Sequence, residues 1–266
     1  MQSVAKLRSR IRRFVHYCLS EEVPPDVAAT LILRYLSRST NSPDVEEQVR
    51  SETRRRGIVT LVHFTPLQNV PSILRFGLIP RHYIQYDSIA LQLEPEFTDT
   101  VRQDGREDHS CVSVTFPNYR MLFNKRNRTK KKFAVLELST DAIVLHACYF
   151  SNRNSARADA DVKTSVTGLR GMFGWNGLRK QIGLPRNYTT DPEAEVLDGS
   201  VIPPNWVRRV LVENESDRKQ LEAALQKKGV TDATPVETGK NYFAPRFDYT
   251  YWQRGSKYSL PYSWDS

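Results

Sequence analysis

The sequence is poor in the features that build disulfide frameworks, metal clusters and membrane spans. Its 266 residues include three cysteines, Cys18, Cys111 and Cys148, which form neither a CxxC pair nor a zinc-binding spacing. No apolar stretch approaches the roughly 20 residues of a transmembrane helix. The first residues lack the hydrophobic block of a signal peptide. These absences predict a cytoplasmic protein with reduced thiols, no metal and no membrane partner.

Glycine patterns that bind nucleotide phosphates are missing as well. Gly168, Gly171, Gly174 and Gly177 recur at every third position in an Asn- and Arg-rich segment, residues 151–187. That spacing fits neither GxGxxG nor a P-loop. We interpret the segment as an irregular loop that either covers a site or lies on the surface.

Positive charge, in contrast, is in excess. Lysine and arginine total 39 against 30 acidic residues, which gives a net charge of +9. This excess favours a polyanionic partner such as nucleic acid. Six basic residues and no acid lie between Asn124 and the strand predicted at 133–138: Lys125, Arg126, Arg128, Lys130, Lys131 and Lys132. We interpret this basic run as a loop at a strand edge, where it is either a solvated hairpin or a contact for phosphates.

Hydrophobic periodicity predicts a mixed α+β fold. Cap signals place a helix at Ser42–Arg56, ending at Gly57, and make residues 1–57 a basic helical arm. β-branched and alternating stretches predict the strands. The predicted strands are 58–64, 111–116, 133–138, 142–150, 196–206, 210–213 and 236–251, and further helices are predicted at 69–76, 119–124 and 217–228.

Two glutamates, Glu193 and Glu195, lie two positions apart on a stretch that we expect to be extended. On a strand their side chains would point to the same face, with Ala194 and Val196 on the other. A carboxylate held there suits a reaction that develops positive charge. The alternative is a solvated pair on an exposed strand.

Three stretches in order resemble the DarT family. Val62-His-Phe-Thr-Pro-Leu-Gln-Asn-Val-Pro-Ser-Ile-Leu-Arg-Phe-Gly-Leu78 is similar to the family's opening segment. Val101-Arg-Gln-Asp-Gly105 and Val112-Ser-Val-Thr-Phe-Pro-Asn-Tyr-Arg-Met121 are similar to its Arg-x-Asp-Gly segment and the strand end after it. Tyr188-Thr-Thr-Asp-Pro-Glu-Ala-Glu-Val-Leu197 resembles its catalytic Gln-Ala-Glu strand, although Glu193 stands where the Gln is usual. The match covers residues 58–255, and leaves residues 256–266 as a tail.

The resemblance implies an ADP-ribosyltransferase-like split mixed β-core with flanking helices, which transfers ADP-ribose from NAD without a metal. It implies Glu195, Arg102 and His63 as catalytic residues. It also implies a set of residues that bind NAD: His63, Thr65, Asn69, Gly77, Leu78, Arg102 and Tyr119. The acceptor would be a thymine or guanine base of single-stranded DNA, which the basic run would contact. The family's enzymes are toxins, so an antitoxin that removes ADP-ribose is an expected partner.

Three alternatives remain open at this point. The same fold accepts RNA or protein as substrate in other transferases, and fold alone does not choose the acceptor. A nucleic-acid-binding protein with a decayed NAD site is the second alternative, although Glu195, His63 and Arg102 are all present. The third is a basic structural protein, in which the segment Arg102–Gly105 would have no purpose.

Overall fold

The computed structural model describes residues 40–85, 96–97, 105–230 and 234–254. Within these ranges, helices flank a mixed sheet, which confirms the expected α+β fold. The helices are α1 (Pro43–Arg56), α2 (Val70–Phe76), α3 (Arg81–Gln85), α4 (Tyr119–Thr129), α5 (Asp141–Leu145), α6 (Ser165–Gly171), α7 (Asn176–Gln181), α8 (Glu215–Lys227) and α9 (Tyr249–Arg254). The strands are β1 (Leu61–Pro66), β2 (Ser110–Val114), β3 (Phe133–Leu138), β4 (Tyr149–Ser151), β5 (Val162–Thr164), β6 (Glu195–Asp198), β7 (Val207–Val212) and β8 (Val236–Thr238).

The eight strands form one sheet in the order β5-β4-β6-β2-β1-β3-β7-β8. Neighbouring strands are antiparallel except for β7 and β8, which are parallel. The central pairing is unequal. β1 pairs with β3 over six residues but with β2 over only Leu61 and Val62. Beyond Val62 the sheet therefore splits, and the gap opens between β1 and β2.

Apolar side chains pack on both faces of the sheet, because successive residues of a strand point to opposite faces. On one face, Leu61, Leu136 and Val196 belong to the larger cluster, together with residues of α1, α2, α5, α6 and α8. On the other face, Val62 and Val135 belong to a smaller cluster. The other members of this second cluster are Leu122 of α4, Phe133, Leu211 and Phe243.

Helix α1 has the predicted bounds because both ends are capped locally. The Ser42 side chain accepts a hydrogen bond from the Val45 amide, and Pro43 occupies the first turn. Gly57 ends the helix with a φ of 66°, which a glycine adopts without a steric penalty. The helix packs onto the larger cluster through the fully buried Val49. The division into an arm at 1–57 and a domain at 58–255 stays a prediction, and residues 1–39 lie outside the described ranges.

A carboxylate joins α1 to α6. Glu52 is 2% exposed. Its Oε1 accepts from Arg56 Nε at 2.6 Å and from Arg55, and its Oε2 accepts from Arg170 Nε of α6 at 3.2 Å. Burial by itself raises the pKa of Glu52, but the hydrogen bonds from Arg55 and Arg56 outweigh it and lower the pKa to about 2. We call these four residues the Glu52 cluster.

Two sequence predictions about secondary structure are wrong. The basic run is not a hairpin loop, because Asn118 caps α4 by accepting from the Met121 amide at 3.0 Å and the helix continues to Thr129. Residues 142–150 are not one strand. α5 ends at Leu145 before β4 begins at Tyr149. Short apolar runs carry no period that separates a buried strand from a buried helix.

The strand predicted at 196–206 is wrong beyond Asp198, because β6 ends there and Pro204–Trp206 form a 3-10 turn. The C-terminal prediction is also wrong in part. Only Val236–Thr238 of the range 236–251 is a strand, and it is followed by a 3-10 turn at Lys240–Phe243 and by α9. The irregular segment 151–187 contains β5, α6 and α7.

No helix among the described residues is both long and apolar enough to span a bilayer.

Candidate active site

A cavity of about 930 Å³ lies in the split between β1 and β2. Its volume falls in the range of ligand-binding pockets, roughly 300–1,000 Å³. One wall consists of β1 and the start of α2, and the other contains β2 and the first residue of β6. Residues from β1, β2, α2, α4, β6 and the loop after β4 line the cavity, including Val62, His63, Thr65, Asn69, Gly77, Leu78, Cys111, Ser113, Lys125, Arg128, Ser155 and Glu195.

Glu195 is the first residue of β6, and it lines the cavity with only 4% of its surface exposed. Its Oε2 accepts two hydrogen bonds from Ser155, one from the backbone amide at 3.0 Å and one from the hydroxyl at 2.8 Å. These bonds fix the rotamer of the carboxylate. The alternative that Glu195 is a solvated residue on an exposed strand is therefore wrong.

Glu193 has a different environment. It lies in the turn before β6, where its amide donates to Asp191 Oδ1 at 2.8 Å. Its Oε2 accepts from Arg120 Nη1 at 2.9 Å, close to the surface. The prediction that Glu193 and Glu195 share a strand face is wrong, because the strand begins only at Glu195.

His63 reaches across the split from β1. Its Nδ1 lies 2.8 Å from the carbonyl oxygen of Cys111 on β2. A carbonyl oxygen only accepts, so Nδ1 carries the hydrogen in this contact. The imidazole thus bridges the two strands where their backbone pairing has ended, and it lines the cavity there.

Thr65 and Asn69 organise the rim of the cavity. The Asn69 amide nitrogen donates to Thr65 Oγ1 at 3.0 Å and to the Glu96 carbonyl at 2.9 Å, while its Oδ1 accepts from the Glu96 amide at 2.8 Å. Asn69 therefore fastens the described pair of residues 96–97 to the end of β1. Phe97 packs beneath the guanidinium of Arg81, 4.4 Å from the ring centroid, and both line the cavity.

Gly77 and Leu78 are held by the segment that follows β6. Leu78 exchanges two backbone hydrogen bonds with Ile202, at 2.8 and 3.0 Å. Gly77 has a φ of 90°, and a Cβ at this position would lie 2.5 Å from the Ile202 carbonyl oxygen. Only glycine fits such a close approach between two backbones. Both residues line the cavity, as the predicted NAD contacts require.

Arg102 and Tyr119 are the other two predicted NAD contacts. Arg102 lies outside the described residues. Tyr119 is buried under α9, with its ring 5.8 Å from that of Tyr249, and it is not among the lining residues. Burial raises the pKa of Tyr119 to about 12. The NAD-binding assignments of Arg102 and Tyr119 stay predictions.

The six residues of the basic run form two groups, with Lys130 outside both. Lys125 and Arg128 line the cavity from α4. In the second group, Arg126 pairs with Glu213, Lys131 pairs with Glu96, and Lys132 Nζ lies 2.7 Å from Asp217 Oδ1. Lys130 ends α4 in the left-handed region with a φ of 56° and is not among the lining residues.

Sequence reasoning missed Ser155. It lies in the segment interpreted as irregular, 40 positions before the carboxylate that it contacts. No sequence motif marks it, because the contact is made only when the loop after β4 folds over the start of β6. Among the residues that the structure describes, no group of three or more potential ligands is arranged to hold a metal ion.

The chain resembles known proteins in sequence and in fold. The family model for DarT, ssDNA thymidine ADP-ribosyltransferase, matches residues 62–244. A search of curated protein sequences gave no match. The structure of Thermus sp. 2.9 DarT in complex with carba-NAD+ aligns with a TM-score of 0.50 and 13% identity, covering 70% of this chain and 98% of that chain. Thermus sp. 2.9 DarT in complex with ADP-ribosylated ssDNA aligns with a TM-score of 0.49 and 16% identity, over 71% of this chain and 97% of that chain.

The sequence match and the fold together define the class of protein as an NAD-dependent ADP-ribosyltransferase, with NAD as its co-substrate. The matched residues 62–244 make up more than half of the 266-residue chain. The chain therefore belongs to the DarT family. The resemblance carried by the three sequence stretches, and the split mixed fold that it implied, are confirmed.

Proposed function

We propose that the protein transfers ADP-ribose from NAD to a thymine base of single-stranded DNA and releases nicotinamide. The observation that carries the proposal is the buried Glu195 carboxylate, which borders a cavity of about 930 Å³ in the split of the sheet. The family description, ssDNA thymidine ADP-ribosyltransferase, favours DNA over RNA or protein and thymine over guanine.

Glu195 has the chemistry that the transfer needs. The bond between nicotinamide and C1′ of the ribose breaks, its electron pair passes to the pyridinium nitrogen, and C1′ becomes oxocarbenium-like. A fixed carboxylate stabilises that positive charge. A ring nitrogen of the acceptor base then bonds to C1′, and Glu195 accepts the proton that this nitrogen loses.

The other assigned residues hold the two substrates. His63 is assigned to the NAD ribose, and Thr65, Asn69, Gly77 and Leu78 to the cavity wall that encloses the dinucleotide. Arg102 supplies a guanidinium fork for the pyrophosphate, and Tyr119 a ring for nicotinamide. These two roles rest on the resemblance.

The first experiment identifies the acceptor. The protein is incubated with NAD and, in parallel, with labelled single-stranded DNA, RNA and a protein mixture. Nicotinamide release with a mass gain on DNA alone supports the proposal, and mass spectrometry of digested nucleosides should find the gain on thymidine. A gain on guanosine would change the base, and a gain on RNA or protein alone would reject the DNA substrate.

The second experiment tests the basic residues. Because Lys125 and Arg128 line the cavity, K125Q/R128Q should weaken binding of single-stranded DNA and reduce the salt slope of log K by about 1.4. K227Q/K228Q is the matched control, since it removes the same charge at the end of α8. Equal slopes for the two double variants would remove Lys125 and Arg128 from the DNA interface. K131Q/K132Q should have a smaller effect, because both lysines pair with acids.

We extend the proposal to the biological role that the family resemblance implies, a toxin whose mark on DNA is removed by a partner antitoxin. Expression of the wild-type chain should arrest bacterial growth, and expression of E195Q should not. Co-expression of a protein that hydrolyses ADP-ribose from DNA should restore growth. Arrest by both variants would assign toxicity to something other than transfer.

A further inference from the structure

Four aromatic rings from three parts of the chain form a continuous row. Tyr242 stacks on Phe116 with 5.8 Å between ring centroids and 13° between planes. Phe116 lies 5.9 Å from Tyr188, and Tyr188 lies 6.2 Å from Phe247. We call Tyr242, Phe116, Tyr188 and Phe247 the aromatic row. Its inner three rings are partly buried, whereas Phe247 at the end is 58% exposed.

The position of Phe247 is fixed by its buried neighbour. Arg246 is 3% exposed, and its guanidinium donates to the carbonyl oxygens of Thr189 and Thr190 at 2.9 and 3.0 Å. It also forms two hydrogen bonds with Asp248. The segment that carries Phe247 is thus fastened to the segment that carries Tyr188. An exposed phenyl group held in this way has little conformational freedom left to lose on binding.

The aromatic row passes close to the cavity wall at Phe116 and ends in solvent at Phe247. Phe116 lies two residues after the end of β2, which contributes Ser113 to the cavity wall, and Asn118 two residues later lines the cavity as well. Tyr188 lies on the segment that leads into β6 and its Glu195. The row therefore leads from a segment next to the cavity wall to an exposed aromatic ring at Phe247.

Exposed cations accompany the row. Arg120 follows Phe116 by four positions and Lys240 precedes Tyr242 by two, and both are exposed. Arg120 pairs with Glu193, so it contributes less net charge than Lys240. An aromatic face beside basic side chains is the combination that binds single-stranded nucleic acid, because bases stack on the ring while cations contact the phosphates.

We propose that Phe247 is a stacking platform for a base of single-stranded DNA that flanks the modified nucleotide. This inference rests on the proposed function, because it takes DNA as the acceptor. The target base enters the cavity beside Glu195, and a neighbouring base stacks on the outward face of Phe247. The inner three rings support that face, since each ring contacts the next.

The test compares Phe247→Ala with Phe247→Trp and with Phe123→Ala. Phe123 is the matched control, because it is 52% exposed on α4 and lies outside the aromatic row. Affinity is measured by fluorescence anisotropy with a labelled thymine oligonucleotide and with an abasic oligonucleotide of the same length and charge. Binding of carba-NAD by calorimetry reports on the cavity. Loss of one stacked base costs roughly 1–3 kcal/mol, or about 5- to 150-fold in Kd.

Phe247→Ala should weaken binding of the thymine oligonucleotide at least about fivefold, whereas Phe247→Trp and Phe123→Ala should not. Phe247→Ala should also leave affinity for the abasic oligonucleotide and for carba-NAD unchanged. Equal weakening for both oligonucleotides, or equal affinities of Phe247→Ala and wild type, would overturn the platform. If the wild-type protein bound no single-stranded DNA, the proposed function itself would fall, and that outcome is separate from loss of the platform.

Discussion

Glu52 and Glu195 are two of the three buried glutamates among the described residues, and their surroundings differ. Glu52 is 2% exposed and accepts hydrogen bonds from Arg55, Arg56 and Arg170. Glu195 is 4% exposed, accepts from the amide and hydroxyl of Ser155, and borders a large cavity. Removing a carboxylate from water is costly, so each must be compensated.

The difference separates a structural role from a proposed catalytic one. In the Glu52 cluster, guanidinium groups from two helices neutralise the carboxylate. The cluster therefore fixes the contact between α1 and α6. At Glu195, the hydrogen bonds from Ser155 orient the carboxylate toward a space that a substrate can fill. The first glutamate should therefore matter for stability and the second for turnover.

The largest expected effect is on catalysis. Glu195→Gln should reduce transfer by about 10²–10³-fold, because the amide cannot stabilise the oxocarbenium-like centre or accept the proton. The unfolding free energy should change by less than about 1 kcal/mol, since glutamine still accepts from Ser155. Nicotinamide release and denaturant unfolding measure the two quantities.

The control for this variant is Glu193→Gln, which alters the neighbouring carboxylate without entering the cavity. Its partner Arg120 is exposed, so the change should cost less than about 1 kcal/mol and leave transfer within about threefold of wild type. Similar losses for both variants would contradict the assignment of Glu195 as the catalytic glutamate.

The second prediction is the opposite for Glu52, where stability should fall and kcat should not. Glu52→Gln should lower the free energy of unfolding by about 3 kcal/mol, because it removes the charge that three guanidinium groups share. The fraction of protein that remains folded should keep the kcat of the wild type. Urea unfolding followed by circular dichroism, with activity measured well below the transition, checks both statements. A stable Glu52→Gln protein with reduced kcat would place the Glu52 cluster in the catalytic machinery.

The third prediction concerns pH. The pKa of Glu52 is lowered from 4.5 to about 2 in the folded state, so its stabilisation is present above pH 4.5 and is lost as the pH falls through 2. A shift of this size corresponds to about 3 kcal/mol. The difference in unfolding free energy between wild type and Glu52→Gln should therefore shrink to less than half between pH 6 and pH 3. A difference that stays constant would show that the charge of Glu52 is not its source.

The smallest effect is expected at Ser155. Ser155→Ala removes the hydroxyl bond to Glu195 but keeps the amide bond, so kcat should fall about tenfold while KM for NAD stays unchanged. Ser155→Thr keeps a hydroxyl and should recover most of the activity. A purely structural serine would instead lower stability and leave kcat of the folded protein intact, which denaturant unfolding and initial rates distinguish.

The helix and strand predictions that are correct rest on signals from neighbouring residues, such as helix caps and apolar runs. Ser42 and Gly57 cap the two ends of α1, and the mostly apolar run Phe133–Leu138 forms β3 with the predicted bounds. Where local signals were ambiguous the predictions were wrong. The apolar residues 142–150 divide between α5 and β4, and the basic run continues α4 because Asn118 caps it.

The candidate site was predictable only where a motif marked it. His63, Asn69, Gly77 and Glu195 lie in stretches that resemble the DarT family, and all four line the cavity. Contacts between distant parts of the chain were not predictable. The Ser155 contact and the Glu52 cluster depend on side chains that meet only after the sheet has formed.

The amino-acid sequence by itself determined the caps, most of the strands, the excess of positive charge and the residues that mark the family. Each of these depends on neighbours within a few positions or on the identity of single residues. The tertiary structure alone decided which carboxylate faces a cavity. The pairing of β1 with β2 stops after two residues, and the cleft that results exists only between strands that are far apart in the chain. Burial of charge is likewise a property of the packed molecule, because it depends on what surrounds a side chain in space.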